Sequence, residues 1–264
     1  MYLYCALPSS MNALGRYLTL LTLVTCQAQR RSHCTKMMDT LPKSVLPLLP
    51  YLNTNRDIIL GSGSPRRKEL LALMGITNFR VQTSNFDENL DKKLFGSAAE
   101  YCIATSIGKG TAIANTFLRN KEDLDSILIC ADTVVEIDGL ILEKPIDGAD
   151  AERMLRLLSG REHCVHTGVS IFGTKGTDSG TRETLRVLDS FSVSTIVNFL
   201  TLTEADIEAY VLTKEPFDKA GSYGIQGFGG QFVQRISGCY FNIMGLPISA
   251  LSKRLCELYH EHAL

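Results

Sequence analysis

The sequence predicts an α/β domain built on a mixed β-sheet, and three observations carry that prediction. Short β-branched runs alternate with helical patterns, but irregularly. An Asp138-Gly139 turn signal places a hairpin among them, which a strictly doubly wound parallel sheet would lack. Apolar residues make up 45% of the 264, enough for a sizeable core in one large domain or two small ones.

In chain order, residues 57–60 (Asp-Ile-Ile-Leu) read as a short buried strand, followed by a Gly/Ser loop. A helix follows over 65–74, begun by Pro65 and ended by Gly75. Residues 79–83 read as a strand, and 97–118 as a helix with Tyr101, Ala104, Ile107 and Ala114 near one face. The apolar run 126–131 reads as a strand ending at Asp132, with 133–137 and 140–142 pairing about Asp138-Gly139. A helix over 149–158 stops at Gly160, a strand covers 165–172, and 173–183 form a Gly/Thr-rich surface loop. Residues 185–202 form a long or bent strand, and Thr203-x-x-Asp206 opens a helix to about Leu212. A Gly-rich loop at 215–231, a strand at 232–236 and a closing helix at 247–260 complete the pattern.

Composition excludes several classes. The formal net charge of −1 argues against a general nucleic-acid binder, so any basic site must be local. No apolar run approaches the ~18 residues needed to span a membrane. The eight cysteines include no C-x-x-C pair, and several lie in apolar stretches, so free thiols in a reducing compartment are expected rather than a zinc knuckle or a catalytic cysteine. Residues 1–36 contain no Asp or Glu and carry an apolar run at 17–25. They read as a targeting peptide of secretory or organelle type, or as an extension upstream of a true start at Met37 or Met38. Residues 41–50 are too proline-rich for a regular element and read as an arm, so 1–50 form an N-terminal extension.

The first strand–helix junction is Gly61-Ser62-Gly63-Ser64-Pro65-Arg66-Arg67. Ser64 is placed as an N-cap, and Arg66 and Arg67 fall in the first helical turn, where the macrodipole favours acids. Two arginines there make sense if an anion joins them: free N–H groups, dipole and guanidinium forks would converge on phosphate oxygens. On spacing alone, a capped helix with solvated arginines explains the pattern equally well. The junction matches neither G-x-x-x-x-G-K-[ST] nor G-x-G-x-x-G.

Downstream, Asp132 stands at a predicted strand end, where a carboxylate can bind a divalent metal or take a proton from water, or merely form a turn. Asp87-Glu88 is a second acidic candidate, equally readable as a solvated loop. Lys144 and Lys219 would not be singled out unaided, and Gln226 in its glycine frame offers an amide able to read a base edge, or marks a tight turn.

Together these segments resemble the Maf family of nucleotide pyrophosphatases from about Asp57 to Tyr259. The resemblance rests on the first junction, Ala131-Asp132-Thr133-Val134-Val135, Leu142-Glu143-Lys144-Pro145, His166-Thr167-Gly168-Val169, Glu215-Pro216-Phe217-Asp218-Lys219-Ala220-Gly221 and Tyr223-Gly224-Ile225-Gln226-Gly227. It is similar, too, to the Maf-like domain of acetylserotonin methyltransferase-like protein. The resemblance implies a single domain over 57–260, a Maf/ITPase-like twisted mixed sheet flanked by helices, with a cleft between two lobes. It implies hydrolysis of a nucleoside triphosphate to monophosphate and pyrophosphate with a divalent metal, magnesium or manganese. Asp132 is then the catalytic residue. Ser62, Arg66, Arg67, Lys109, Thr133, Lys144, Lys219 and Gln226 bind substrate, and Glu88 with Asp132 holds the metal. Arg66, Thr133 and Gln226 match the subgroup acting on dTTP and UTP; the 7-methyl-GTP subgroup carries an aromatic, a Gln and a Glu there. A cytoplasmic homodimer without nucleic-acid or membrane partners is implied, with residues 1–36 leaving mitochondrial or other targeting open. The mechanism expected is attack of an activated water on the α-phosphorus with pyrophosphate leaving. The competing readings are a phosphatase releasing orthophosphate stepwise and a non-catalytic nucleotide-binding regulator of cell division.

Overall fold

The computed structural model describes residues 44–120, 126–174, 185–261 and 263–264, all within one unit, Lys43–Leu264. The expectations for residues 1–36 and for most of the loop at 173–183 lie outside the described residues. Seven strands form one mixed sheet: β1 (Asp57–Leu60), β2 (Phe79–Val81), β3 (Ser126–Ile137), β4 (Leu140–Leu142), β5 (Glu162–Gly173), β6 (Arg186–Phe199) and β7 (Val233–Ser237). The order is β2-β1-β3-β5-β6-β7, with β4 also on β3. β1 is parallel to β2 and β3, and every other pairing is antiparallel. The predicted hairpin forms, with Asp138 and Gly139 both at positive φ (52° and 76°), the conformation a two-residue turn demands.

The helices are α1 (Leu49–Asn55), α2 (Pro65–Leu73), α3 (Ala98–Asn120), α4 (Gly148–Leu158), α5 (Glu204–Leu212), α6 (Tyr240–Ile243) and α7 (Ile248–His260). One apolar cluster packs Leu52, Leu70, Leu71 and Leu251 against Ile58, Ile129 and Val169 of the sheet. A second gathers Leu155 and Leu158 of α4 and Ile207 of α5 with Val135, Val165 and Phe199. Two smaller clusters hold α3, through Ile113 and Phe117 against Leu128 and Cys130, and through Tyr101 and Cys102 against Val134.

Four expectations are corrected. Residues 46–48 form a 3-10 turn running into α1, not an arm. Pro47 and Pro50 each fall in a first helical turn, where an N–H has no acceptor to lose. Val45, Leu48 and Leu52 are buried, so apolar packing outweighs the proline content. Asp132 does not end a strand: β3 runs unbroken through it to Ile137, because β5 pairs with it from Leu128 to Glu136. Of the four residues expected on the buried face of α3 only Tyr101 is buried, with Ala104, Ile107 and Ala114 half-buried; the stripe runs instead through Ala98, Cys102, Thr105, Lys109, Ile113 and Phe117. Polar residues occupy that stripe, so hydropathy could not mark it. Residues 215–231 contain three 3-10 turns in place of one loop.

The sheet's irregularity makes the site. β3 pairs with β1 only as far as Ile129 and with β4 only from Val135. Between them, residues 130–134 lack a strand partner on that edge. Along β3 the notch falls between Ile129 of the first apolar cluster and Val135 of the second.

Candidate active site

A cavity of about 530 Å³ occupies the notch, and all ten side chains expected at the site line it: Ser62, Arg66, Arg67, Glu88, Lys109, Asp132, Thr133, Lys144, Lys219 and Gln226. They come from α2, α3, β3 and four inter-element connections, over more than 160 residues of chain.

The buried centre is ionic. Lys109 of α3 donates from Nζ to Asp132 Oδ1 (2.7 Å) and pairs with Glu88 Oε2 (2.8 Å). Lys109 and Asp132 are nearly buried, while the Glu88 side chain is half exposed. A buried ammonium needs such compensation. α3 can come this close because Gly168 on β5 carries no side chain; a Cβ there would overlap the backbone of Cys102 and Ile103.

The first junction forms the adjoining wall. Gly61 allows the chain to turn there, since a Cβ would overlap Cys130 Sγ. Ser64 occupies the N-cap position, but its side chain makes no cap hydrogen bond; its N–H instead points to Ser62 Oγ (3.3 Å). The two arginines diverge. Arg67 donates to Gly245 O (2.8 Å), Ser62 Oγ (3.1 Å) and Thr133 Oγ1 (2.9 Å), so it braces α2 against β3 and the loop after α6. Burial pulls its guanidinium below the ordinary value, and the charges of Asp132 and Glu88 act the other way. Thr133 continues the chain of bonds to Thr167 Oγ1 (2.9 Å), which donates to Asn242 O (2.9 Å). Arg66 reaches across the cavity to Asp218, at 3.1 Å from Oδ2 and 3.4 Å from the carbonyl oxygen.

The opposite wall carries the remaining groups. Lys219 donates to Asp218 Oδ1 (2.6 Å) and to Glu215 O (2.7 Å). Burial acts to raise the Asp218 carboxyl, but the Lys219 hydrogen bond and the Arg66 charge hold it below its ordinary value. Lys144 and Gln226 are exposed, and among the described residues neither side chain has a hydrogen bond or ion pair.

Sequence reasoning passed over four groups that shape this cavity. Asp218 holds both Arg66 and Lys219. Glu143 lines the wall and accepts from Tyr101 (2.7 Å) and Lys92 (2.6 Å). Thr167 and Gly245 anchor the far end of the arginine brace. Asp218 and Glu143 each precede a candidate lysine in sequence, and that adjacency is the signal that would have found them.

Among the described residues no group of three or more His, Cys, Asp or Glu is arranged around a common point. The chain offers Asp132 and Glu88, each using one carboxylate oxygen on the same ammonium. Two carboxylates fit a hard cation of magnesium type, whose shell is completed by water and phosphate oxygens rather than by an all-protein cage. The five cysteines among the described residues are free thiols, as expected. Burial pushes Cys130 up to about 12 and raises Cys102 further, helped by the Asp132 charge, so neither is a thiolate at neutral pH.

Comparison with known proteins adds the following. The sequence pattern described as "Maf-like protein" matches residues 57–258. A dTTP/UTP pyrophosphatase of Clostridium beijerinckii is 44% identical over 202 residues, covering 76% of this chain and 98% of that one. The dTTP/UTP pyrophosphatase of Bacillus cytotoxicus is 43% identical over 200 residues, 76% of this chain and 94% of that one. A human protein described as a probable bifunctional dTTP/UTP pyrophosphatase/methyltransferase is 40% identical over 208 residues, and the match spans only 32% of its length. The solved structure of the Staphylococcus aureus Ham1 protein covers 55% of this chain and 72% of its own at 14% identity, with a TM-score of 0.32, too slight to argue from. No helix among the described residues is long and apolar enough to cross a membrane.

Proposed function

The chain belongs to the Maf family, and on that premise we propose that it is a nucleoside triphosphate pyrophosphatase acting on dTTP and UTP. The observation that carries the proposal is the meeting, in one cavity, of the Asp132–Lys109–Glu88 group with the α2 N-terminus and the cations Arg66, Lys144 and Lys219. A triphosphate needs several cations and a helix N-terminus on one side, and a carboxylate able to handle a water proton on the other.

Asp132 orients the attacking water and accepts its proton, and Lys109 fixes the carboxylate in place through the 2.7 Å bond. Arg66, Lys144 and Lys219 neutralise the charge that builds on the departing pyrophosphate. Arg67 contributes charge while keeping Ser62 and Thr133 in position, since its three hydrogen bonds leave two of its five N–H groups for substrate. Gln226, Arg66 and Thr133 read the base side of the nucleotide. Glu88 and Asp132 would hold the divalent cation, magnesium or manganese, which when bound supplies charge neutralisation and lowers the pKa of water. We place the catalytic domain at 57–260, and extend its packed structure back to Val45. A cytoplasmic homodimer is part of the same proposal.

The test is a panel of canonical and modified triphosphates with magnesium or manganese, scored for the first product. Pyrophosphate from dTTP and UTP is expected. Orthophosphate as the first product would point to a stepwise phosphatase, and absence of turnover to a nucleotide-binding regulator. A preference for 7-methyl-GTP would overturn the base assignment and leave the reaction standing.

A further inference from the structure

Four of the seven residues from Gly224 to Gly230 are glycine. Such a segment pays a high entropic cost to hold one shape, so it needs an external restraint. The structure supplies one from outside the cavity. Glu215 Oε2 accepts the N–H of Phe228 (2.8 Å), and Oε1 accepts the N–H of Gly229 (3.2 Å) and the hydroxyl of Tyr210 (2.9 Å). The Tyr210 hydroxyl accepts in turn from Gly224 N–H (3.1 Å). One carboxylate–phenol pair thus ties both ends of the segment, at Gly224 and at Phe228–Gly229, with Gln226 between them. Gly227 packs directly on the carboxylate, where a Cβ would overlap it. Tyr210 is buried, and its ring meets Phe232 edge-on at 5.0 Å, so the phenol is itself held in place.

We propose that Glu215 and Tyr210 are positioning residues for base recognition: together they set the height and direction of the loop that carries Gln226. This rests on the reading of Gln226 as the base-facing amide. Neither residue lines the cavity, so both act through the loop. The division of labour within Glu215 makes the proposal separable from phosphate binding. Its backbone oxygen holds Lys219, and a side-chain substitution leaves that bond in place.

The experiment uses the full chain and two ligands, dTMP and inorganic tripolyphosphate, titrated by calorimetry into wild type, Glu215→Ala, Glu215→Gln and Tyr210→Phe. Glu215→Ala and Tyr210→Phe should weaken dTMP about tenfold, with tripolyphosphate affinity unchanged. Glu215→Gln should fall between, because its amide can accept in place of Oε1 but sets an N–H against the Phe228 N–H. Equal weakening of both ligands would reduce Glu215 to general scaffolding and overturn the proposal, as would unchanged dTMP binding. Amide hydrogen exchange reads the hold without any ligand: Gly224, Phe228 and Gly229 should exchange faster in Glu215→Ala, and unchanged exchange would overturn it. A chain that binds dTMP but releases no pyrophosphate from dTTP would refute the proposed reaction and leave this inference intact.

Discussion

Asp132 and Lys109 depend on each other, although they lie 23 positions apart in the chain. Each is buried, and a buried charge is tolerated only with its partner in place. Asp132→Asn keeps the size of the side chain and leaves Lys109 paired with Glu88. Turnover of dTTP should fall by about 10² to 10⁴, the range for losing a general base, while the thermal melt stays near wild type. Wild-type turnover in that variant would remove Asp132 from the mechanism. At this scale legibility was uneven. The arginine pair was visible because its anomaly is local: two cations in the first turn of a helix. That the two would separate, Arg67 into a brace and Arg66 across the cavity, depends on Gly245, Thr133 and Asp218, none of them near in sequence. Nothing local marks Lys109, which sits within a helix whose neighbouring residues give no reason to bury a charge.

The elements were largely readable, and their failures share a cause. β1, α2, α4, β6 and α5 begin and end within about three residues of where turn and capping residues place them. The Thr203–Asp206 capping box forms in full, each side chain bonding the other's backbone N–H. What could not be read is how far an element continues once a neighbour pairs with it. β3 passes through Asp132 because β5 supplies acceptors and donors along its length. The approach of α3 to the sheet likewise depends on one absent side chain. Gly168→Ala pushes a methyl group into the α3 backbone, and overpacking of this kind costs about 1–3 kcal/mol. Chemical denaturation should show that loss, and kcat should fall with it because α3 carries Lys109. A destabilised variant with full kcat would show that the position of α3 does not limit the reaction.

For the molecule as a whole, acid stability is set in part by His163. Its ring is buried, with Nε2 2.9 Å from the Tyr223 hydroxyl and edge-on contact with Phe199. Burial lowers its pKa from the ordinary 6.5 to about 4. The unfolded chain therefore binds a proton between these values while the folded chain does not. Stability is complete above pH 6.5 and declines as the pH falls toward 4, by roughly 3 kcal/mol from this group. Thermal melts between pH 7.5 and 4.5 should show the decline, and His163→Gln should flatten it. An unchanged slope in that variant would assign the acid sensitivity to other groups.

By itself the sequence determined the class of the fold, the order of most of its elements, ten candidate residues that line one cavity and, through its resemblance to the Maf family, a nucleotide pyrophosphatase reaction. The fold class and the elements are written in local patterns of period, caps and turns, and the candidate residues in short ordered segments, Lys109 excepted. Only the tertiary structure decided which of those residues touch. The notch in β3 exists because its pairing with β1 stops at Ile129 and its pairing with β4 starts at Val135, so the strand edge between them is open to the cavity. The pairing of Lys109 with Asp132, the brace at Arg67 and the tether from Glu215 to the glycine loop each join segments distant along the chain. A charge or hydrogen bond made across such a distance leaves no period in the sequence, because its strength depends on separation in space and burial rather than on chain order.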